Sequence, residues 1–350
     1  MNNLTKIFFI LILIESIYFS GCLKDKITPP SNIQLDETGQ LLYYLEAEGD
    51  YINSSAMPSL VNVDEVFSNL QSYLLLDIRP SNEFISGHIE GAINKSPSEL
   101  IPFLDSLDLL QYPKIVIIST NGQSSSYYTC LLRLCGFNNT YSMSYGMAAW
   151  NSVFSNQWLA ARQIDYELLG SYSQDIVPKP PFTPLPKVNL SGSSLEESVK
   201  QRIKDLMQIT FEDSLINHES EATINYDWLM SNKEDNFIVC FDTLRLYKNI
   251  PDGIFHPADA VLFHPFPRSE ISSSEYLQSF PSNKKSALYS VDGQQSAFVV
   301  AYLRLLGYDA KSVLFGANNM FYPLLLNSPL FHNKAFSEEN IRNYPYVEGN

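Results

Sequence analysis

Two short polar loops carry the residues of this sequence whose types and spacing could do chemistry. Each loop follows an apolar stretch that predicts a β-strand and precedes a stretch that predicts a helix. Loop 1 consists of Ser119, Thr120, Asn121, Gly122, Gln123, Ser124 and Ser125. Loop 2 consists of Ser290, Val291, Asp292, Gly293, Gln294, Gln295 and Ser296. Successive backbone N–H groups that lead into a helix favour an anion, so the loops predict binding of a small oxyanion or an acidic side chain.

Two other interpretations of these loops stay open. Ser125 and Ser296 can act as helix N-caps, whose hydroxyl oxygens satisfy the backbone donors that an anion would otherwise occupy. Gly122 and Gly293 are expected to provide positive φ or a close approach of the backbone. A serine hydrolase is the third interpretation, but residues 122–126 lack the second glycine of the G-x-S-x-G pattern and no histidine is near in sequence.

The elements that must position the loops occur twice along the chain. At a constant offset of 171 residues, 8 of 19 positions are identical between residues 119–137 and residues 290–308. Ahead of each loop the pattern is a short strand, a capped helix and an apolar strand that ends at Asp77 or Asp242. Alternating strands and helices predict an α/β fold with two domains, each a mainly parallel sheet flanked by helices. Both loops then lie at the carboxyl ends of strands, where ligands bind in such sheets.

Composition shifts predict the domain boundaries. Residues 175–194 hold five prolines, which favour extended backbone, and the Ser194-x-x-Glu197 capping box predicts the start of the next helix. The expected segments are a signal peptide (1–21), a tether (22–40), domain 1 (57–160), a Pro-rich linker (161–194) and a degenerate domain 2 (195–335).

The N-terminus predicts export and lipidation. Lys6 precedes the apolar run at residues 7–14, which is too short to span a bilayer. Ser20, Gly21 and Cys22 resemble the end of a bacterial lipobox. The predicted location is therefore outside the cytoplasm, in the bacterial cell envelope, with a lipid on Cys22 as the membrane anchor. A plain cleaved signal and an uncleaved anchor remain alternatives.

Charge and composition exclude several classes of function. A formal net charge of −15 argues against nucleic acid as a partner, because phosphate contacts require basic residues. Four cysteines are too few for a disulfide scaffold in 350 residues. Cys130, Cys135 and Cys240 are expected as small apolar core residues.

No metal site and no cofactor are predicted. The acidic group that could suggest metal ligands, made up of Glu46, Glu48 and Asp50, is interpreted as a solvated face.

Residues 74–94 resemble the signature of the rhodanese family. The sequence LLLDIRPSNEFISGHIEGAIN fits D-x-R followed by E-[FY]-x-x-G-H-I-x-G-A-x-N, and GMAAW resembles the family's closing G-G-x-x-A-W with Tyr145 in place of the first glycine. This resemblance covers about residues 57–155, while residues 220–325 resemble the family more weakly. It implies tandem rhodanese-like domains and mainly structural roles for the signature residues Asp77, Arg79, Glu83 and His88.

The same resemblance raises the question of activity. In active members the loop reads C-x-x-G-x-R-S, and its cysteine takes a sulfane sulfur from thiosulfate or a mercaptoacid and passes it to cyanide or another thiophile. Here Ser119 and Ser290 occupy the cysteine position, and Ser124 and Gln295 occupy the arginine position. A serine hydroxyl stays protonated without a strong base, and its oxygen cannot store a persulfide sulfur.

The expected function is therefore non-catalytic binding of a small anion or a protein partner. The alternative is an enzyme of the thiosulfate or mercaptopyruvate sulfurtransferase type with altered chemistry at the serine loops. The resemblance also implies that the two loops share a cleft between the domains.

Overall fold

The computed structural model describes residues 36–47, 57–162, 172–249, 252–265 and 277–349, and these form one compact unit. The predicted signal peptide (1–21) and most of the predicted tether (22–40), including Cys22, lie outside the described residues, as do Glu48 and Asp50.

Helices and strands alternate along the described chain. The helices are α1 (Glu37–Ala47), α2 (Val63–Ser68), α3 (Ser81–Ser86), α4 (Pro97–Asp105), α5 (Gln123–Leu134), α6 (Met147–Trp150), α7 (Asn156–Ala160), α8 (Leu195–Leu206), α9 (Tyr226–Ser231), α10 (Leu244–Tyr247), α11 (Gln294–Leu305) and α12 (Ala317–Asn327). Short 3-10 turns occupy Leu109–Gln111, Ser152–Phe154, Lys233–Asp235, His332–Lys334 and Glu338–Asn340. The strands are β1 (Leu60–Val61), β2 (Leu74–Asp77), β3 (Ile93–Asn94), β4 (Ile115–Ile118), β5 (Thr140–Met143), β6 (Tyr172–Ser173), β7 (Thr223–Ile224), β8 (Asn236–Phe241), β9 (His256–Pro257), β10 (Val261–Phe263), β11 (Lys285–Tyr289) and β12 (Ala310–Val313).

The strands form two five-stranded parallel sheets with the same order. The first sheet runs β1-β5-β4-β2-β3 and the second runs β7-β12-β11-β8-β10. Each central strand, β4 or β11, leads into a helix of 12 residues, α5 or α11. The predicted α/β class, with two mainly parallel sheets flanked by helices, is confirmed. The segment after the first half adds a two-stranded antiparallel pair, β6 with β9.

Burial explains why these strands read as continuous apolar runs. All four residues of β4 are fully buried, as expected for a parallel strand whose two faces are both covered by helices. Helix α11 is apolar on most of its circumference because it packs against α5 on one side and its own sheet on the other. The pair formed by α5 and α11 therefore joins the two sheets.

Two glutamines at the start of these helices exchange hydrogen bonds between the halves. Gln123 Oε1 accepts from the backbone N–H of Phe315, and Gln294 Oε1 accepts from the backbone N–H of Tyr145, both at 2.7 Å. A Cβ at Gly122 would collide with Gln294, and one at Gly293 would collide with Gln123. Both glycines also have positive φ, at +86° and +78°, so both expected reasons for glycine apply.

Aromatic side chains surround this exchange. The indole of Trp158 lies 5.2 Å from the ring of Tyr145, 4.8 Å from Phe315 and 4.9 Å from Phe336. Its N–H donates to the backbone oxygen of Asn121 at 3.0 Å. One residue of α7 thus contacts loop 1 and packs on the second half of the chain.

Residues 341–349 return to the first half. Tyr344 N–H donates to the Trp150 oxygen at 2.9 Å, and His88 and Val347 exchange two backbone hydrogen bonds of 2.9 Å. The ring of Tyr344 stacks on Phe67 at 3.9 Å. The predicted domain 2 ends at residue 335 and does not include residues 341–349. In the structure these residues cover part of the first half.

Two helix starts bear on the predicted segments. Helix α1 begins at Glu37, inside the segment predicted as a tether, because Leu41, Leu42 and Leu45 bury one face against the core. Helix α8 begins directly after Ser194, whose hydroxyl accepts from the Glu197 N–H at 3.2 Å, so the predicted helix start is confirmed.

Replacing Gln123 with alanine tests the exchange of hydrogen bonds. The substitution leaves the buried Phe315 N–H without an acceptor, which costs about 1–3 kcal/mol of unfolding free energy. Urea denaturation of Gln123→Ala and wild type measures the loss. Gln201→Ala, on the exposed face of α8, is the matched control and is expected to change stability by less than about 0.5 kcal/mol. Equal losses in the two variants would contradict the assigned role.

Candidate functional site

Loop 1 is closed around the side chain of Ser119. Its hydroxyl oxygen accepts from the N–H groups of Gly122 (3.0 Å) and Ser125 (3.4 Å) and its proton points to Ser125 Oγ at 3.0 Å. Ser119 is 1% exposed. The oxygen of this side chain therefore fills the space inside the loop and uses donors that a bound anion would need.

The N-cap of α5 is Gly122, so the expectation that Ser125 caps this helix is wrong. Ser125 lies inside the first turn, where its hydroxyl is 2.7 Å from that of Ser142 on β5. Loop 2 repeats the arrangement: Gly293 is the N-cap of α11, Ser290 Oγ accepts from the Ser296 N–H at 3.2 Å, and the expectation for Ser296 is wrong as well. The reason is the left-handed glycine, which turns the chain so that the serine at the strand end reaches the helix amides.

Loop 2 is already supplied with carboxylates from its own half. Asp292 accepts from the N–H of Gln294 at 3.0 Å and from its amide nitrogen at 2.8 Å. Asp242, directly after β8, accepts from the N–H groups of Val291 (3.1 Å) and Thr243 (2.7 Å). Burial raises the pKa of both carboxyl groups. Two internal acids therefore already occupy donors that a further anion at this loop would need.

The anion at loop 1 comes from a distant segment. The carboxylate of Asp213 accepts from the Ser124 N–H at 3.0 Å and also from the Ser124 hydroxyl, and the Asn121 amide donates to the Asp213 backbone oxygen at 2.8 Å. Burial raises the pKa of Asp213 to about 7; the hydrogen bonds from Ser124 lower it, and the charges of Glu212 and Glu83 raise it further. A carboxylate therefore occupies the start of α5 within this chain.

A pocket of about 310 Å³ lies beside loop 1. Its lining residues are Ile78, Arg79, Pro80, Glu83, Pro97, Ser98, Ser119, Thr120, Ser124, Tyr128, Gln157 and residues 207–214. We call residues 207–214 the strap, because they follow α8 and cover loop 1. No residue of loop 2 is among this pocket's lining residues, so the pocket is built by the first half and the strap.

The signature residues organise the edge of this pocket. Arg79 forms a buried ion pair of 2.6 Å with Asp77 and donates to the backbone oxygen of Gly87 at 2.8 Å. Glu83 accepts from the Thr120 hydroxyl at 3.1 Å and lines the pocket. His88 lies farther out, with its Nδ1 2.9 Å from the Phe84 oxygen and its ring stacked on Phe84 at 3.7 Å. In the second half the ring of His256 likewise stacks on an aromatic ring, that of Tyr247, and its Nδ1 lies 2.6 Å from the Tyr247 backbone oxygen.

Asp213 is the residue that sequence reasoning missed. It is 89 residues from Ser124 along the chain and lies outside the stretch that repeats between the halves. Nothing in the local pattern around Phe211, Glu212 and Asp213 indicates a contact with a loop of the other half. The hydrophobic Phe211, buried in the middle of a polar stretch, is the signal that this segment packs against something.

Burial makes the three cysteines in the described part of the chain poor nucleophiles. Cys130 and Cys240 are buried with 0% exposure, and burial raises the pKa of both thiols well above the usual range. Cys135 is half-buried at the end of α5, and burial raises its pKa as well.

The described part of the chain contains neither a metal-ligand cluster nor a membrane-spanning helix. No group of three or more histidine, cysteine or acidic side chains in that part could hold a metal ion. A bilayer-crossing helix would need a longer apolar stretch than any helix there provides.

Sequence comparison links the first half to known proteins. A rhodanese-like domain model matches residues 62–153. The chain is 33% identical over 83 residues to the thiosulfate sulfurtransferase GlpE of Shewanella oneidensis, which is 24% of this chain and 80% of that protein. It is 30% identical over 87 residues to the GlpE of Pseudoalteromonas translucida, which is 25% of this chain and 81% of that protein.

Solved structures of rhodanese-related proteins and sulfurtransferases resemble this chain only with low TM-scores. A rhodanese-related protein from Thermoplasma volcanium is 28% identical and matches 25% of this chain and 84% of that chain, with a TM-score of 0.23. A thiosulfate sulfurtransferase from Pseudomonas aeruginosa is 13% identical and matches 91% of this chain and 70% of that chain, with a TM-score of 0.24. The sequence relatives, and not these structures, therefore carry the assignment to a family.

The burial of the thiols predicts their reactivity. Cys130 and Cys240 of the native chain are expected to react with iodoacetamide at least about a hundredfold more slowly than in urea, because the thiolate is the reactive form and burial disfavours it. Peptide mass spectrometry after timed labelling measures each site. The half-buried Cys135 is the internal comparison and should react faster. Rapid native labelling of Cys130 or Cys240 would contradict this prediction.

Proposed function

This chain belongs to the rhodanese-like domain family, and we propose that it is a non-catalytic member that binds a small anion or a protein partner. Sulfur transfer in the family depends on a thiolate in the loop, and this chain has serine at both corresponding positions, 119 and 290. Its role is to hold a ligand instead of turning it over.

The observation that carries this proposal is the position of the Ser119 hydroxyl. It lies inside loop 1 and is held by Gly122 and Ser125, which makes it a structural acceptor. None of its hydrogen bonds goes to a histidine or a carboxylate that could remove its proton. A serine held in this way supports the loop and does not attack a substrate.

Loop 1 is the better candidate for the ligand site. The pocket of about 310 Å³ adjoins Ser119, Thr120 and Ser124, and the start of α5 already holds a carboxylate. An amide N–H and a hydroxyl that bind a carboxylate suit other oxyanions or an acidic side chain of a partner. At loop 2 the carboxyl groups of Asp242 and Asp292 already occupy backbone donors that a ligand would need.

We also propose that the chain is a tandem repeat in which residues 195–335 are a degenerate second copy. Three observations support this: the two sheets have the same strand order, both loops contain a left-handed glycine that is the N-cap of the next helix, and the sequences around them share an offset of 171 residues. The second copy then serves chiefly to support the first through α11.

A sulfurtransferase-type enzyme with altered chemistry at the serine loops is the second candidate. It is favoured by the relatives themselves, since both curated proteins described above are named thiosulfate sulfurtransferases. It requires a sulfur carrier other than Ser119, because a hydroxyl oxygen cannot store the transferred sulfur.

A sulfur-transfer assay distinguishes the two candidates. The wild-type chain and Ser119→Ala are both expected to form thiocyanate from thiosulfate and cyanide at the uncatalysed background rate. The S. oneidensis relative serves as the positive control for the assay. Turnover by the wild-type chain above that rate would overturn the non-catalytic proposal, and its retention in Ser119→Ala would favour the second candidate, whose sulfur carrier is a group other than Ser119.

The proposed location follows from the sequence of the N-terminus. We propose that Cys22 carries a lipid that anchors the chain at the bacterial cell envelope, on the basis of Lys6, the apolar run at residues 7–14 and the Ser-Gly-Cys sequence.

Lipidation is tested by labelling bacteria that express the full chain with an alkyne fatty acid. Wild type and Cys135→Ser are expected to become labelled and to partition into detergent, whereas Cys22→Ser loses both properties. Full labelling of Cys22→Ser would exclude this anchor.

A further inference from the structure

We propose that the strap is an internal lid on loop 1, in which the carboxylate of Asp213 takes the place of an external anion and must leave before such an anion can bind. This inference rests on the proposed binding function, because it describes how that same pocket is closed and opened. Its basis is the set of contacts between the strap, the start of α5 and the pocket wall.

Asp213, near the end of the strap, makes the contacts that a bound anion would make. Asp213 accepts from the N–H and the hydroxyl of Ser124, which is one turn or less from the start of α5. The Asn121 side chain holds the same residue by its backbone oxygen. These donors lie on loop 1, so any anion that uses them competes directly with Asp213.

The middle of the strap is anchored separately. Tyr128 OH donates to the Ile209 oxygen at 2.7 Å and accepts from the Phe211 N–H at 3.3 Å. The ring of Phe211 is buried and lies 5.3 Å from that of Tyr127. The strap can therefore release Asp213 while Phe211 stays in the core, so opening requires the movement of only a few residues after Phe211.

Loop 2 shows why loop 1 alone can have a releasable occupant. The carboxylates at loop 2 belong to Asp292, which is part of the loop, and to Asp242, which directly follows β8. Both residues are continuous in sequence with the loop or with a strand of its sheet. Asp213 comes from a segment between α8 and β7, so its removal breaks side-chain contacts and leaves both elements intact.

Burial of the Asp213 carboxyl group makes its docking sensitive to pH, and the charges around it add to the effect. The ionisable groups that face it are Glu83 on α3, Glu212 in the strap, and Arg79 and Tyr128 in the pocket wall, with Arg79 paired to Asp77. Because Arg79 is paired, the two glutamates leave the ionised carboxylate in an unfavourable field. Above pH 7, where docked Asp213 is ionised, its departure removes one negative charge from the pocket wall, and this favours the entry of an anion.

The direction of the pH dependence follows from the two pKa values. Docked Asp213 has a pKa of about 7, and its ordinary value is 3.8. Docking is therefore strongest below pH 3.8, where the carboxyl group is protonated in both states, and it weakens as the pH rises towards 7. Between pH 5.5 and 7.5 these values correspond to an increase of about twentyfold in the equilibrium constant for opening.

Hydrogen–deuterium exchange of the full chain tests the lid without any ligand. Peptides that cover residues 207–214 and 119–126 are followed at pH 5.5 and 7.5, with correction for intrinsic exchange. In the wild type we expect protection of the Ser124 amide, in the peptide that covers residues 119–126, to fall at least tenfold at the higher pH, because Asp213 is its acceptor. Residues 207–211 stay anchored by Phe211 and should keep their protection. Asp213→Asn keeps the shape but cannot ionise, so its protection should not change with pH. Asp213→Ala should exchange rapidly at both.

The matched control is Asp205→Asn, which removes the same charge from the exposed end of α8 and should behave as the wild type does. Protection in the wild type that is independent of pH, or identical behaviour of Asp205→Asn and Asp213→Asn, would overturn the lid.

Sulfate is the probe that separates this inference from the proposed function. Calorimetric titration at pH 7.5 should show at least tenfold tighter sulfate binding to Asp213→Ala than to wild type. Equal binding to both would overturn the lid, because Asp213 would not compete with the anion. If the exchange data show opening and sulfate binds to neither protein, the lid stands and the proposal of anion binding at loop 1 falls.

Discussion

The exchange of hydrogen bonds between Gln123 and Gln294 is the constraint on which the rest of the structure depends. Each glutamine side chain crosses to the other half and accepts a hydrogen bond from a backbone N–H there. The donors are Phe315, directly before Gly316, and Tyr145, directly before Gly146. This contact requires glycine at positions 122 and 293, and it sets α5 and α11 against one another. Since both loops are used in the contact between halves, little of either loop remains free, and the pocket forms on the outer side of loop 1.

The same constraint explains how a family built around a reactive loop can accommodate serine there. A hydroxyl at position 119 supplies an acceptor inside the loop, which closes it without a bound anion. Loop 2 achieves the same result with Asp242 and Asp292. Buried polar groups that satisfy one another stabilise a loop of this kind and make it specific in shape. At loop 2 the carboxyl groups that accept these hydrogen bonds come from its own half, whereas at loop 1 the carboxyl group comes from the distant Asp213.

Local patterns in the sequence were sufficient to predict much of the fold and the positions of the two loops. The continuous apolar runs predicted the central strands, the Ser194 motif predicted the start of α8, and the recurrence of Gly122 as Gly293 predicted equivalent loops. Contacts between distant residues were not predictable in this way. Asp213 reaches Ser124 across 89 residues, and Tyr344 reaches Phe67 across 344 − 67 = 277 residues, with no periodicity that would mark either contact. The positive φ of Gly122 placed the cap one turn earlier than serine preferences predicted.

The returning segment at residues 341–349 has a consequence for the order in which the chain is made. Trp150 donates its indole N–H to the oxygen of Pro345, a residue synthesised 195 positions later. A chain that emerges N-terminus first, whether from the ribosome or from an export channel, folds domain by domain. Phe67 and Trp150 therefore stay uncovered until nearly two hundred further residues have emerged. During that interval this aromatic surface is available to chaperones.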